Sequence, residues 1–147
     1  LEEELQGLIK KAEHCAVYAL KPDNFKIVND EYGHDAGDRT LRILADYLKN
    51  FLGENGIGIR YRGDEYIGIL PDIDKETALK KGEELVKKIF HIDLSGVLNR
   101  DNFNLTASVG LAVFPDDGKS ASEILEKAIE LMFSARNDGG NRINAGK

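Results

Sequence analysis

The sequence has no surplus of positive charge: 26 Asp and Glu stand against 20 Lys and Arg, for a formal net charge of −6. Surfaces that bind nucleic acid are usually basic, so this balance argues against a polyanionic partner of that kind. It leaves room for a nucleotide, whose charge a metal and a few local Lys, Arg and N–H groups can meet. No apolar run approaches the ~20 residues that span a bilayer, and no signal-peptide pattern is visible, so membrane contact by this domain is not expected. The single cysteine, Cys15, has no partner for an internal disulfide. Beside Ala16-Val17-Tyr18-Ala19-Leu20 it reads as a buried thiol, and a reducing cytoplasm fits. Internal repeats and low-complexity segments are absent. What remains, 147 residues with 41% hydrophobic and 31% charged side chains, suits one globular domain large enough for a proper core.

Leu1, Leu5, Leu8, Ile9 and Ala12 follow helical spacing, so the chain begins inside a helix. Ala16 to Leu20 reads as a buried first strand. Pro22 suits the first turn of a helix, where its missing N–H matters least, and Gly33 to Gly37 breaks that helix. A second helix follows, with Leu41, Leu44, Leu48 and Phe51 on one face. Gly58–Tyr61 and Tyr66–Leu70 form a hairpin, and a helix near Lys75–Phe90 buries Leu79, Leu85, Val86 and Ile89. The Ile92–Asn102 stretch is weakly patterned, with Gly96 and Asn99 to Asn102 suggesting a turn. Phe103–Val113 reads as a long strand. Ser120 offers a cap for a helix using Ile124, Leu125, Ala128, Ile129, Leu131 and Met132, and a short strand at Arg142-Ile143 closes the sheet. This order favours an α+β sandwich, a mainly antiparallel sheet with helices around it.

Chemistry concentrates in Arg60-Tyr61-Arg62-Gly63-Asp64-Glu65-Tyr66-Ile67-Gly68-Ile69-Leu70. Two strand-like runs flank a short polar tip, which places Asp64 and Glu65 where two strands meet, beside backbone made accessible by Gly63. Paired carboxylates at a tight turn suit a hard divalent cation such as Mg²⁺, shared with substrate phosphates. Taken alone, Gly-Asp-Glu reads more readily as an acidic surface turn.

A second dense motif lies upstream: Asp23-Asn24-Phe25-Lys26-Ile27-Val28-Asn29-Asp30-Glu31-Tyr32-Gly33-His34-Asp35-Ala36-Gly37-Asp38. Together the two motifs resemble the GGDEF domain, the diguanylate cyclase family that condenses two GTP into cyclic di-GMP. The resemblance continues through Thr106-Ala107-Ser108-Val109-Gly110-Leu111-Ala112 and Phe114-Pro115-Asp116-Asp117-Gly118. It ends in Ala135-Arg136-Asn137-Asp138-Gly139-Gly140-Asn141-Arg142. It implies the palm-like nucleotidyl cyclase fold. The D-x-L-T-x-L-x-N-R segment that normally precedes this point in the family is missing. That suggests that residues 1–147 are a single GGDEF-like domain excised from a longer signalling protein, or that the start is lost to disorder.

In the family, Mg²⁺ (or Mn²⁺) is held by the first Asp of D-x-D-x-F-K, the next residue's backbone carbonyl and the third residue of GGDEF. The resemblance places these roles on Lys21, the Pro22 carbonyl and Asp64, with Glu65 beside it. Lys21 replaces an anionic ligand by an ammonium that cannot ligate while protonated, changing the local charge by about two units. Two-metal phosphoryl chemistry needs anionic ligands, so catalysis is expected to be weak or lost. In another register Asp23 would take the metal role, but Phe25, Lys26 and Asn29 align without a gap.

The guanine-reading pair of the family falls on Asn29 and Asp38, an amide that donates and accepts and a carboxylate that accepts. Each alone reads also as a helix cap. Lys26 and Arg136 match positions that contact the triphosphate, and N–H groups around Asn24 and Phe25 add donors. Either cation alone reads also as a solvated surface charge. Gly140 stands where the family has Arg, so one phosphate contact is expected to be lost. Arg62 replaces the first Gly of GGDEF and is expected to cost something if that position needs positive φ or close approach of a second nucleotide. Tyr66 replaces Phe, with a hydroxyl to satisfy, and His34 supports the loop. The inhibitory R-x-x-D site falls on Gly53 and Gly56 and is expected to be absent.

Three readings stand. The first is a degenerate GGDEF domain that binds GTP or a related guanine nucleotide and regulates an attached sensor or EAL domain. The second is a working cyclase, acting as a homodimer of GTP-loaded domains. The third is a structural or dimerisation module with no nucleotide.

Overall fold

A strand buried on both faces must be apolar throughout, and Cys15-Ala16-Val17-Tyr18-Ala19-Leu20 meets that demand. In the computed structural model, which describes residues 1–98 and 103–146, this segment is β1 (Cys15–Pro22), and all six of those side chains are inaccessible to solvent. It is the middle of a five-stranded sheet ordered β2-β3-β1-β4-β5, with β2 at Ile57–Arg62, β3 at Glu65–Pro71, β4 at Ala107–Phe114 and β5 at Arg142–Asn144. β1 runs antiparallel to both β3 and β4; β5 lies parallel to β4. The architecture is the α+β class that the element order favours.

The period-2 pleat of β1 splits the core in two. Ala16, Tyr18 and Leu20 face a layer built from α2 (Phe25–Tyr32), α3 (His34–Leu52), α4 (Lys75–Phe90) and α5 (Ser95–Leu98). Cys15, Val17 and Ala19 face α1 (Glu2–Lys11) and α6 (Ala121–Asn137). Burial pushes the Cys15 thiol up to about 11, with the Asp72 charge adding to it, so Cys15 is a core residue. α4 and α6 start where side chains cap them: Asp74 accepts from the Thr77 N–H, and Ser120 from the Glu123 N–H as its sequence position implied.

The structure differs from the sequence reading at four places. Pro22 ends β1, opposite Ala107 of β4, and opens no helix; β3 pairs with β1 only as far as Leu20, so a residue without an N–H breaks no bond on that side. The break between α2 and α3 is Gly33 alone, at φ +88°, and Gly37 lies inside α3. The stretch around Gly96 is the short helix α5, opened by Asp93, whose carboxylate accepts from the Ser95 N–H and hydroxyl. The expected turn at Asn99 to Asn102 lies outside the described residues. The long strand begins at Ala107, not Phe103.

α6 rests on β4 at Gly110, where an added Cβ would lie 2.0 Å from the Ala128 carbonyl oxygen and 2.3 Å from the Met132 nitrogen. Both obstacles are helix backbone and cannot turn aside. Gly110→Ala is therefore expected to force α6 off the sheet and to lower stability by about 3 kcal/mol, measured as a shift in the denaturant midpoint with little change in slope.

Candidate functional site

The site forms where β1 runs out beneath the β2–β3 hairpin. Gly63, at φ +42°, opens the short loop between Arg62 and Glu65, which face each other across the pair. Arg60 Nε donates to the Gly63 carbonyl and ties the tip down. The positive φ therefore falls on Gly63, and Arg62 is an exposed strand residue whose guanidinium lies 5.0 Å from the centre of the Tyr61 ring. No backbone cost arises at Arg62. Tyr66 donates its hydroxyl to the Leu41 carbonyl at 2.9 Å, which satisfies the group that a Phe would lack and ties β3 to α3. Burial, the dominant cause, pushes the Tyr66 phenol above its usual range.

The antiparallel register sets Leu20 opposite Tyr66, so the next residue of β1, Lys21, emerges beside Glu65 and Asp64. Its ammonium lies 2.7 Å from Asp64 Oδ1 and 3.9 Å from Glu65 Oε2. All three side chains are a quarter exposed or less, at 19%, 24% and 14% for Lys21, Asp64 and Glu65. The donor set fits a divalent cation poorly. A hard dication needs bare oxygen ligands at about 2.0–2.1 Å, and one of the two carboxylates is already engaged by an ammonium. Among the described residues, no group of three or more His, Cys, Asp or Glu side chains is arranged to hold a metal. His34 stands exposed at the start of α3.

Asp23 does not point to the metal position. Its Oδ2 accepts from Thr106 Oγ1 and from the Asn141 N–H, both at 2.8 Å, and its Oδ1 accepts from Ser108 Oγ at 2.6 Å. Its own N–H donates to the Thr106 carbonyl at 2.8 Å. Both carboxylate oxygens bind the end of β1 to β4 and to the α6–β5 loop, a structural role that argues against the alternative register with Asp23 as metal ligand. Ser108, fully buried, and Thr106 are positioning residues that the sequence reading noted only as part of a motif. A hydroxyl at 108 within an otherwise apolar strand was the available signal. The same carboxylate crowds Gly140, which sits at φ +70° and whose added Cβ would lie 2.6 Å from Asp23 Oδ2.

On the opposite face of the sheet, α2 and α3 carry the expected base-reading pair. Asn29 is inside α2 and Asp38 inside α3, whose first residue is His34, so neither is a cap. The helices approach so closely that a Cβ on Gly37 would lie 1.9 Å from Asn29 Oδ1. That contact sets the Asn29 amide against the backbone one residue before Asp38. Phe25 is buried beneath, its ring tip 3.4 Å from the same position. Asn24 opens α2 in the left-handed region at φ 53°, and Lys26 and Arg136 are exposed, on α2 and in the last turn of α6. A groove of about 510 Å³ along α3 and β2, lined by Leu41, Arg42, Leu52, Gly53, Gly56 and Tyr66 among others, contains none of the residues expected to hold nucleotide.

Comparison with known proteins agrees with this geometry. The sequence model of the family described as "Diguanylate cyclase, GGDEF domain" matches residues 1–142. The chain is 30% identical over 141 residues to the bifunctional diguanylate cyclase/cyclic di-GMP phosphodiesterase MucR of Pseudomonas aeruginosa, covering 96% of this chain and 20% of that protein. It is 34% identical over 143 residues to the biofilm architecture maintenance protein MbaA of Vibrio cholerae, covering 89% of this chain and 17% of that one. The chain thus spans a fifth or less of either relative. Among solved structures, the coiled coil and GGDEF domain of DgcB from Caulobacter crescentus, in complex with c-di-GMP, superposes with a TM-score of 0.88 at 26% identity, covering 98% of this chain and 78% of that one.

Removing the Asp23 carboxylate strands two hydroxyls and one N–H, in a partly buried corner. Asp23→Ala is expected to lower stability by about 2–3 kcal/mol in a denaturant titration, and added Mg²⁺ should not change that loss. A Mg²⁺-dependent loss would return the metal role to Asp23.

Proposed function

The chain belongs to the GGDEF family of diguanylate cyclase domains, and on that premise we propose that it binds a guanine nucleotide while turning over GTP weakly or not at all. The observation that carries this reading is the 2.7 Å contact between the Lys21 ammonium and Asp64. Asp64 and Glu65 are the carboxylates at which cyclase chemistry would gather its Mg²⁺ or Mn²⁺, and an ammonium held between them neutralises the charge that would attract the metal. Inline phosphoryl transfer depends on such ions to hold both the attacking and the leaving oxygen. Without them the site keeps its capacity to bind and loses the means to activate.

Base recognition would rest on Asn29 and Asp38; in support, the contact of α2 with α3 sets the Asn29 amide against Gly37, the residue before Asp38. An amide and a carboxylate can meet the guanine O6, N1–H and N2–H₂ edge, and adenine would leave them unpaired. Gly63, Asn24, Phe25, Lys26 and Arg136 complete the proposed nucleotide site, and the Pro22 carbonyl keeps the place of a backbone metal ligand. The domain, residues 1–147, would act as a regulatory unit within a longer protein bearing a sensor or EAL domain. Nucleotide binding shifts such a neighbour only as far as its two states differ in affinity for the nucleotide.

The working-cyclase alternative draws on the intact Gly63-Asp64-Glu65 and predicts robust cyclic di-GMP synthesis by a homodimer. Incubation with GTP and Mg²⁺ or Mn²⁺, read by chromatography, is expected to show little or no product. Calorimetry should separate GTP from ATP by at least about tenfold, or ~1.4 kcal/mol, and Asn29→Ala should erase most of the difference. Equal affinity for both nucleotides, or none for either, would favour the structural-module reading.

Product feedback is expected to be missing as well. Gly53 and Gly56, at the positions of the R-x-x-D pair, supply neither guanidinium nor carboxylate, although Arg42, Asp46, Glu54 and Arg60 line the groove they border. Titration with cyclic di-GMP, followed by NMR, should leave the amide signals of Gly53 and Gly56 unmoved. An ordered ligand dimer beside them would mean that other groups had taken over the role.

A further inference from the structure

The poor fit of the donor set to a dication has a counterpart: the same geometry supplies a cation of its own. Asp64 and Glu65 are adjacent residues, and both side chains are mostly shielded from water. Two carboxylates so placed need positive charge nearby, and here it arrives on a side chain of the central strand. Lys21 cannot leave by dissociation. Its ammonium has three N–H donors, one spent on Asp64 at 2.7 Å, while the second carboxylate is 3.9 Å away and loosely held. Donor capacity remains for a phosphate oxygen.

We infer that Lys21 is a built-in counter-cation and that nucleotide binding by this domain is independent of Mg²⁺. The inference rests on the guanine-nucleotide reading and deepens it, because it states the form in which the nucleotide is taken: free, not as its magnesium complex. A bound dication would have to displace the ammonium from Asp64 and would then repel it at short range. Mg²⁺ therefore brings no gain in affinity and, at high concentration, competes by sequestering the free nucleotide.

The test compares GTP affinity by calorimetry in EDTA and in Mg²⁺ at matched ionic strength, alongside a titration of nucleotide-free protein with Mn²⁺ followed by electron paramagnetic resonance. Wild type is expected to bind GTP at least about threefold more tightly in EDTA than in excess Mg²⁺, and to leave Mn²⁺ free. Lys21→Asp should invert both results, binding Mn²⁺ and losing at least about tenfold in GTP affinity when EDTA is present. Lys21→Met, which keeps the length of the side chain without its charge, should lose affinity in EDTA in the same way. A thermal melt of each variant checks that the fold persists. GTP binding by wild type that requires Mg²⁺, or Mn²⁺ binding by wild type as tight as by Lys21→Asp, overturns the inference while leaving guanine recognition standing. Absence of GTP binding in both buffers overturns the nucleotide reading itself, and the manganese titration still decides whether Lys21 excludes a dication.

Discussion

Strands β1 and β3 pair so that Leu20 stands opposite Tyr66, and the site depends on that register more than on any single contact. Side chains alternate between the faces of a sheet, so a slip by one residue would send Lys21 to the other side and force Val17 and Ala19 into the opposite layer of the core. Burial on both faces makes that slip prohibitive. The register in turn delivers Lys21 to the tip of the hairpin, where Asp64 ends the loop and Glu65 begins β3. An ion pair between residues 21 and 64 therefore follows from core packing on the Lys21 side and from the short loop at Gly63-Asp64 on the other.

Energetics within the corner divide unevenly. The Lys21–Asp64 pair is partly shielded and charge-assisted, yet the desolvation of two ions offsets much of its attraction. Its role is better sought in electrostatics than in stability. Asp23 is the opposite case. It gathers two hydroxyls and a backbone N–H from β4, the segment before it and the α6–β5 loop, and it holds the end of β1 in place. Two residues apart in sequence, one acid has become structural while the position usually acidic in the family has become basic. A Cβ at Gly140 would lie 2.6 Å from that carboxylate, so restoring the family's arginine there requires the Asp23 side chain to shift.

The contact between α2 and α3 depends on a different kind of constraint. Gly37 lies inside α3, where glycine is costly, because the Asn29 amide occupies the space a Cβ would take. Sequence pattern alone reads Gly33 to Gly37 as one long break and Asp38 as the residue starting a helix. Only the approach of α2 to α3 shows that Gly37 is a contact point and that Asp38 belongs to the second turn of α3. Pro22 misleads for a similar reason: a proline entering a helix and a proline ending a strand look alike locally, and the difference lies in where β3 stops pairing.

Much was legible in the chain by itself. The uninterrupted apolar run of β1, the hairpin around Gly63-Asp64-Glu65, the amphipathic α4 and the Ser120 cap follow from periodicity and local turn chemistry, which are properties of neighbours in sequence. The motifs around residues 21–38 and 60–66 sufficed to identify the family and to single out Lys21 as its departure. The resemblance already brought Lys21 and Asp64 to one metal position, 43 residues apart, and the structure adds their direct contact; tertiary structure alone decided that Asp23 bonds to Thr106 and Ser108, more than 80 positions away. Such contacts carry no local signature: they exist because strands distant in the chain are neighbours in the sheet, and a side chain's charge acquires its partner only when the register brings the two together.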